Sequence, residues 1–378
     1  TASTTLFLPV GVARIFAATT EANSYHTQRA AGVFSGMNCY IKSNTSVALA
    51  TTVTFRKNTA DGSQTFSIGA GATGEFSDTT NSDMVAAGDE VSYEMTNSDV
   101  VGGPSVHYVH CLFAATTDTY TPLMARNNAA LTAASATNFF PLGAQINFAA
   151  VEANTALKSR AAGTLQHLYV YVSANARTTT TTVTSRKNAA DGNQTVSIGA
   201  TATGIFEDTS NSDTIAVGDT VDLKVVTGTG TETLTIQRMG CGFTSTAGQQ
   251  HTVWNQASGL AFSDNAVTNF FAVAGGITRS TTEADMRSYL KQAVTASNLG
   301  VYISANARTT TTVVTVRKAG ADTAITVSIG AAATGLFEDT TNSVAYTSTD
   351  YICHQFVTGA SAESITLRFI SLHLSGPV

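Results

Sequence analysis

The sequence predicts an all-β protein made of three tandem β-sandwich domains of the jelly-roll type. Two observations support this fold class: the chain repeats itself at a period of domain length, and apolar residues within each repeat alternate with polar ones. A third observation is that turn-forming residues separate the alternating runs. Many short strands with almost no helix are typical of a sandwich, and about eight strands per repeat suit a jelly roll.

The repeat is clearest at an Arg-Lys pair, Arg56-Lys57, which recurs at positions 186–187 and 317–318. The segment SIGAGATGEFSDTTNS at 67–82 likewise returns, with few changes, at 197–212 and 328–343. This period exceeds that of solenoid repeats, which run to about 50 residues. We therefore predict one domain per copy, at residues 1–122 (copy 1), 123–250 (copy 2) and 251–378 (copy 3). Copies 2 and 3 carry a lead-in, such as 127–135, that is either a linker or an added edge strand.

Alternation with a period of two marks the strands. In copy 2, Leu168, Val170 and Val172 alternate with Tyr169 and Tyr171. Such a pattern is typical of strands with one buried face. Only the segment 282–294 has any helical character, and we expect a turn or one short helix there. Three phenylalanines are predicted to share one core site, namely Phe76, Phe206 and Phe337.

Turn signals divide the strands. The Asp-Gly pairs at 61–62 and 191–192 predict hairpin turns. Copy 3 has Asp322-Thr323 at this position, so we expect its turn to be built differently. A Gly-Asp pair marks a later turn at 88–89 and 218–219, and of this pair copy 3 keeps only Asp350.

The stretch VTSRKNAADGNQTVSIGATATGIFEDTSNSDTIAVGDTV at 183–221 resembles a module common in tailed-phage virion proteins. It is also similar to the C-terminal jelly rolls of spore-surface collagen-like proteins, which resemble C1q and TNF domains. The resemblance implies a trimer-forming jelly roll displayed on a particle or cell surface, and it brings no catalytic residue. Copy 3 departs from the pattern at Ala319, Thr323 and Thr349.

Composition argues against several functions. Charged residues make up 12% of the chain and the net charge is −6, without a basic stripe, so nucleic-acid binding is not expected. No apolar run reaches 18 residues, so no membrane span is expected. The start at Thr1 fits either a trimmed initiator Met or a removed secretory signal.

The sequence shows no catalytic constellation and no cofactor motif. The seven histidines share no common repeat position, and the one close pair, His107 and His110, falls on opposite faces of a strand. We therefore predict that the protein is not an enzyme. The cysteines form no CxxC pair and are predicted to be free, buried thiols, with Cys111 and Cys241 aligned to Leu372. The four cysteines are Cys39, Cys111, Cys241 and Cys353.

An oxygen-rich cluster recurs ahead of a predicted strand. Calcium sites need several converging oxygens, but Asx turns use the same residues for backbone hydrogen bonds. Turn building is the favoured interpretation, and calcium binding is the alternative. In copy 3 the last acid of the cluster is replaced by Val344. The calcium candidates are Asp78, Asn81, Asp83, Asp208, Asn211 and Asp213, with Asp339 and Asn342 in copy 3.

Two further features have a structural and a functional interpretation. The Arg-Lys pair is expected to be a solvated strand end, and the alternative is contact with an acidic patch such as Glu207-Asp208 of a neighbouring copy. Aromatic side chains can form a sugar platform, for which Tyr169, Tyr171 and Tyr302 are better candidates than the unrepeated Trp254. Burial between modules is the favoured interpretation of these aromatics.

These observations favour a non-enzymatic structural protein that self-assembles on a surface. The expected setting is a phage virion, as a head decoration or fibre-like part, with the domains side by side or around a pseudo-threefold axis. The expected partners are further copies or other virion proteins, or a glycan, and the expected location is the virion surface or the extracellular space. The alternative is a glycan- or receptor-binding adhesin on a phage tail or cell surface.

Overall fold

The computed structural model describes residues 4–10, 18–116, 119–142, 148–248, 250–273, 275–276 and 279–376. Within these ranges, the description leaves out the side chains of residues 9, 124–129, 250–259 and 275–276. The chain divides into two compact units, Thr1–Pro122 and Leu123–Val378, and the second unit contains copies 2 and 3. The described part of the chain contains no helix long and apolar enough to cross a membrane.

Copy 1 consists of strands and one 3₁₀ turn. The turn η1 covers Glu21–Asn23. The strands are β1 (Thr4–Pro9), β2 (His26–Thr27), β3 (Gly32–Asn44), β4 (Thr51–Lys57), β5 (Ala60–Ile68), β6 (Gly74–Val85), β7 (Glu90–Asn97) and β8 (Pro104–Ala115).

Copy 2 repeats these elements after one added strand, β9 (Tyr120–Leu131), and has its 3₁₀ turn η2 at Glu152–Asn154. Its other strands are β10 (Thr137–Phe140), β11 (Leu157–Lys158), β12 (Gly163–Asn175), β13 (Thr181–Lys187), β14 (Ala190–Ile198), β15 (Gly204–Ile215), β16 (Thr220–Val226) and β17 (Leu234–Ser245).

Copy 3 also begins with an added strand, β18 (Gln250–Phe262), and has its 3₁₀ turn η3 at Glu283–Met286, the short helix expected within 282–294. Its other strands are β19 (Thr268–Phe271), β20 (Gly275–Gly276), β21 (Arg279–Ser280), β22 (Ser288–Tyr289), β23 (Val294–Asn306), β24 (Thr312–Lys318), β25 (Ala321–Ile329), β26 (Gly335–Tyr346), β27 (Tyr351–Thr358) and β28 (Ile365–Ser375).

The strand order is that of a jelly roll. In copy 2 one sheet runs β9-β17-β12-β15 and the other β10-β16-β13-β14. Counting the long strands from one to eight, these orders are 1-8-3-6 and 2-7-4-5, the two four-stranded sheets of a jelly roll. Copy 3 has the same two orders, in β18-β28-β23-β26 and β19-β27-β24-β25. The lead-in is therefore an added edge strand and not a linker.

Copy 1 has the same strand order without the first strand. Its sheets run β6-β3-β8 and β1-β7-β4-β5 among the described residues. The fold class expected from the sequence, an all-β chain of jelly-roll sandwiches, is confirmed. The boundaries at 122 and 250 stay a prediction, since contacts group copies 2 and 3 in one unit.

The period-two pattern correctly identified the core. The predicted apolar face of copy 2 formed by Leu168, Val170 and Val172 is buried, with at most 1% exposure. Phe76, Phe206 and Phe337 occupy equivalent positions, opposite Cys39, Val170 and Val301, and pack half-buried against the three cores. All four cysteines are free, as expected.

The hairpin turn does not lie at Asp-Gly. Strands β4 and β5 are joined by Asn58 and Thr59, which have φ values of 50° and 69°. Two consecutive residues with positive φ form the type I′ turn that matches strand twist, and Asn favours this conformation. The prediction of a turn at 61–62 and 191–192 is wrong, since both pairs lie inside strands. The expectation that copy 3 differs is also wrong, because Ala319 and Gly320 have φ values of 47° and 87°.

One core site is polar in copy 2 and mainly apolar in copy 3. In copy 2 the buried Asp213 carboxylate accepts hydrogen bonds from Ser185 Oγ at 2.6 Å and Gln194 Nε2 at 3.1 Å. A Cβ on Gly192 would lie 2.4 Å from Ser185 Oγ and 2.7 Å from an Asp213 carboxylate oxygen. Copy 3 replaces all four residues at once, with Val316, Thr323, Ile325 and Val344.

We predict that this set behaves as one unit. Asp213→Val alone removes the nearest acceptor of the buried Ser185 hydroxyl and one of the two acceptors of the Gln194 side-chain amide, which should cost about 2–4 kcal/mol of unfolding free energy. The fourfold change S185V/G192T/Q194I/D213V should recover most of this loss, because it removes the donors together with the acceptor. Chemical denaturation of the four single variants and the combined variant of the full chain measures it. Additive losses would contradict the prediction.

Candidate functional site

The aspartate clusters form bulges within a long strand. Between the pairs Ser35–Ser82 and Met37–Asp78, strand β6 has three residues and β3 has only Gly36, with φ of 60°. The same bulge recurs in copies 2 and 3, where His167 and Asn298 take φ values of 56° and 53°. The expectation that the cluster precedes a strand is wrong, because it lies inside one.

Each first aspartate closes its bulge with both carboxylate oxygens. Asp78 Oδ1 accepts from the amides of Thr80 and Asn81 at 3.0 Å, and Oδ2 accepts from Asn81 Nδ2 at 2.9 Å. Oδ2 also accepts from the amide of Thr65 at 3.0 Å, which belongs to β5 in the opposite sheet. Asp208 and Asp339 make the same three backbone contacts.

These bonds determine the charge of the aspartates. Burial alone would raise the pKa of Asp78, but the donors from Asn81 and from the Thr65 and Thr80 amides lower it to about 2. The pKa of Asp339 is likewise lowered to about 2, against burial, by Asn342 and three amides. These backbone hydrogen bonds support the turn-building interpretation of the aspartates.

Asp83 and Asp213, the other acidic calcium candidates, accept hydrogen bonds from the opposite sheet, from β5 in copy 1 and from β13 and β14 in copy 2. Asp83 accepts from the Ser63 amide at 2.6 Å and from the Gln64 amide and side chain at 3.1 Å. Across the described residues, no group of three or more His, Cys, Asp or Glu side chains is arranged to hold a metal. The calcium alternative stays a prediction that these contacts do not support.

The arginine of the Arg-Lys pair is mostly buried and contacts its own copy. Arg56, 14% exposed in its side chain, donates from Nε to Glu21 Oε1 at 3.0 Å and also pairs with Asp61. Arg186 pairs with Glu152 at 2.9 Å and Arg317 with Glu283 at 3.0 Å. The lysine stays partly exposed, at 37% of the Lys187 side chain, and pairs with Asp219 of its own copy. The solvated strand end thus holds only for the lysine, and the arginine fastens the 3₁₀ turn of its own copy to its own sheet.

The third member of this ion-pair site differs in every copy. Ser92 Oγ donates to Glu21 Oε1 at 3.3 Å, and Cys353 Sγ lies 3.7 Å from Glu283 Oε1. Copy 2 places Asp222 there, 1% exposed, with a hydrogen bond from Thr155 Oγ1 at 2.8 Å. Burial and the Glu152 charge raise the pKa of Asp222 to about 7, although Thr155 and Arg186 oppose this.

The remaining titratable candidates are structural. His354 is fully buried, and burial lowers its pKa to about 3, so it is a neutral core residue. The ring of His110 stacks on Tyr108 at 4.8 Å and the ring of His107 lies edge-on to Tyr108 at 6.3 Å. Burial also raises the pKa of all four thiols, which makes them poor nucleophiles.

The tyrosines that were the alternative candidates for a sugar platform make packing contacts. Tyr169 is 1% exposed, and Tyr171 has the Arg238 guanidinium 4.2 Å from its ring centroid. Tyr302 stacks on Phe369 at 5.4 Å. These contacts support the packing interpretation, and the side chain of Trp254 lies outside the described residues.

Copies 2 and 3 meet within the second unit. Phe369 of copy 3 is buried in the core cluster of copy 2, and Tyr302 packs against the same cluster. Glu338 of copy 3 forms ion pairs with Arg160 and, at 3.0 Å, with Lys158 of copy 2. An acid equivalent to Glu207 thus does contact a neighbouring copy, but its partner is Arg160 and not the Arg-Lys pair. Sequence reasoning missed Arg160, although the segment RAAG at 160–163 repeats that at 29–32.

We predict that Asp339→Asn destabilises the fold near neutral pH by about 1–3 kcal/mol, since an amide cannot accept from all the donors of the carboxylate. The folded pKa lies below the unfolded value of about 3.9, so the wild-type advantage is present above about pH 4 and is lost as pH falls toward 2. Denaturation of both proteins between pH 2 and 7 tests this. Calcium and EDTA should leave both midpoints unchanged, and a calcium-dependent midpoint would favour the ion-binding alternative.

We predict the opposite pH dependence from Asp222. Its folded pKa is raised to about 7, so its carboxyl is tolerated while protonated below about pH 4, and stability is lost as pH rises to 7. Asp222→Asn should therefore raise the unfolding free energy at pH 8, on the order of 2–4 kcal/mol, and have little effect at pH 4. The reciprocal Ser92→Asp should introduce this dependence into copy 1. Parallel stability curves for wild type and variants would contradict the assignment.

Comparisons with known proteins leave the family open. No family model matches the chain, and no curated protein matches it. A solved structure from an archaeal virus, described as a triple jelly roll fold in a turret assembly, matches at 14% identity. The match covers 92% of this chain and 80% of the other, with a TM-score of 0.21.

Proposed function

We propose that the chain is a non-enzymatic structural protein, a self-assembling surface component of a virion, such as a head decoration or fibre-like part of a phage. The observation that carries this proposal is the use made of the repeated polar groups. The Glu–Arg pairs and the bulge aspartates recur in every copy and form bonds within their own copy. A repeated active or ligand site would instead leave such groups converging on a cleft.

The packing of copies 2 and 3 supports a role in assembly. Phe369 and Tyr302 reach the core of the preceding copy, and Glu338 pairs with Arg160 at the edge of that contact. A buried aromatic anchor beside a charged pair is the usual arrangement of a stable protein interface. The jelly rolls of this chain can therefore dock on one another through their sheets.

The surface also suits assembly. Few charges remain to keep molecules apart, and threonine hydroxyls already pair across neighbouring strands, at 3.1 Å between Thr54 and Thr65 and 3.2 Å between Thr184 and Thr195. A neutral surface rich in hydroxyls is easily covered by another subunit. The adhesin alternative relied on tyrosines, and those tyrosines are engaged in packing.

We predict that the purified chain forms an oligomer, filament or particle-bound array. A specific contact should bury at least about 1,000 Å². Light scattering and electron microscopy over a range of concentrations test this, and assembly should persist at about 0.5 M salt because few charges are involved. A strict monomer at high concentration that binds a glycan with measurable affinity would favour the adhesin instead.

A further inference from the structure

Among the residues that the structure describes, the jelly roll of copy 1 lacks one strand that its two sister copies have. In copies 2 and 3, β9 and β18 lie along the outer edge of the last strand, β17 or β28. In copy 1, no strand of the described residues pairs with the corresponding edge of β8.

The core side chains of β8 show the effect of the open edge. Val106, Cys111 and Phe113 face the core of copy 1 but are only half-buried. The equivalent side chains of copy 2 belong to the buried core, with at most 7% exposure: Ile236, Cys241 and Phe243. The same positions in copy 3 are also buried: Leu367, Leu372 and Leu374. The edge of copy 1 is thus exposed where its sisters are closed.

The far end of the lead-in strand has its own binding site in copy 2. Leu131, the last residue of β9, is buried in the core. Its carbonyl and that of Ala133 accept from Arg177 NH2 at 3.2 and 2.8 Å, and Thr227 Oγ1 donates to Ala133 at 2.8 Å. Arg177 is fully buried by these contacts. In copy 3, Phe262 takes the place of Leu131.

Copy 1 has an apolar surface at the same place. Ser46 replaces the arginine, and Asp99 Oδ2 fixes the loop by accepting from the amides of Val47 at 2.7 Å and Ala48 at 2.9 Å. The loop pair presents an apolar tip, which we define as Val47, Leu49 and Val101, with exposures of 68%, 50% and 69%. In copies 2 and 3 the first of these loops carries threonines, at 178–180 and 309–311.

We propose that the open edge of β8 and the apolar tip together bind an extended strand donated by a neighbouring polypeptide. By analogy with β18 on β28, the strand runs antiparallel to β8 over about a dozen residues, carries little charge, and ends in a large apolar residue against the tip. Residues 104–115 contain no Lys, Arg, Asp or Glu, the charges that usually guard an exposed edge.

The identity of the donor as a virion neighbour rests on the proposed function, but the edge and its ligand chemistry do not. A synthetic peptide of residues 250–262 is therefore a suitable probe, because it is the strand that closes the same edge in copy 3. Binding of this peptide to the full chain tests the edge, whereas the oligomeric state of the chain tests the assembly role.

The experiment measures fluorescence anisotropy of the labelled peptide and hydrogen exchange of the protein. We expect saturable one-to-one binding, no binding of a scrambled peptide, and slower exchange of β8 amides in the complex. The double variant V47D/V101D should weaken binding at least tenfold by placing charge on the tip. The matched control is V217D, because Val217 is equally exposed, at 63%, on a turn of copy 2.

Three results would overturn the inference. One is that neither this peptide nor one of residues 120–131 binds at about 1 mM. Another is binding that leaves the exchange of β8 unchanged or that V217D weakens as much as V47D/V101D. The last is a dimer in which two β8 edges pair with each other and exclude the peptide. An oligomer that persists in V47D/V101D without peptide binding would keep the assembly role and reject the donated strand.

Discussion

Each jelly roll in this chain depends on a carboxylate at the corner between its two sheets. Asp78, Asp208 and Asp339 each lie on an edge strand of one sheet. Each carboxylate accepts a hydrogen bond from a backbone amide on the edge strand of the other sheet. The same carboxylate satisfies the amides that the bulge removes from strand pairing. Because an unpaired buried amide is costly, the bulge and the acid must occur together. The residue opposite must accept a positive φ, which Gly36, His167 and Asn298 all do.

Comparison of the three copies separates this requirement from what the fold merely tolerates. The bulge aspartate is present in all three copies. The second acidic position is Asp83 in copy 1 and Asp213 in copy 2, but it is the apolar Val344 in copy 3. Where this position is an acid, a Gln side chain donates to it and a glycine lies at 62 or 192. In copy 3, where the acid is lost, Ile325 replaces the Gln and Thr323 replaces the glycine. The third position of the ion-pair site varies as Ser92, Asp222 and Cys353. The acid that satisfies the bulge amides is therefore kept, whereas an acid that bridges the sheets without closing a bulge is replaceable together with its neighbours.

The sequence was sufficient for the strands and cores, because alternation reports directly which side chains face inward. The sequence was insufficient for the turn between β4 and β5, because both Asp61-Gly62 and Asn58 are turn signals. The register between these two strands decides which residues take a positive φ, and this register is a property of the strand pair. The Glu–Arg pairs could have been found, because Glu21 and Arg56 both recur in all copies, but their contact joins segments 35 residues apart. Phe369 gave no such signal, since a contact between copies leaves no repeat within either copy, and Arg160 repeats Arg29 without indicating its partner in the next copy.

The internal use of charge has a consequence for how such a chain can meet other molecules. With the repeated charged groups bound inside each copy, long-range attraction contributes little, and contacts depend on shape, hydroxyls and apolar side chains. The contact between copies 2 and 3 shows this arrangement, because aromatic rings fill the centre and one acid aligns the margin. A sheet edge adds a second mode of contact, in which backbone groups supply the affinity and few side chains are specified. A repeated module can then diverge on its faces while one edge continues to accept a strand, as β17 and β28 do.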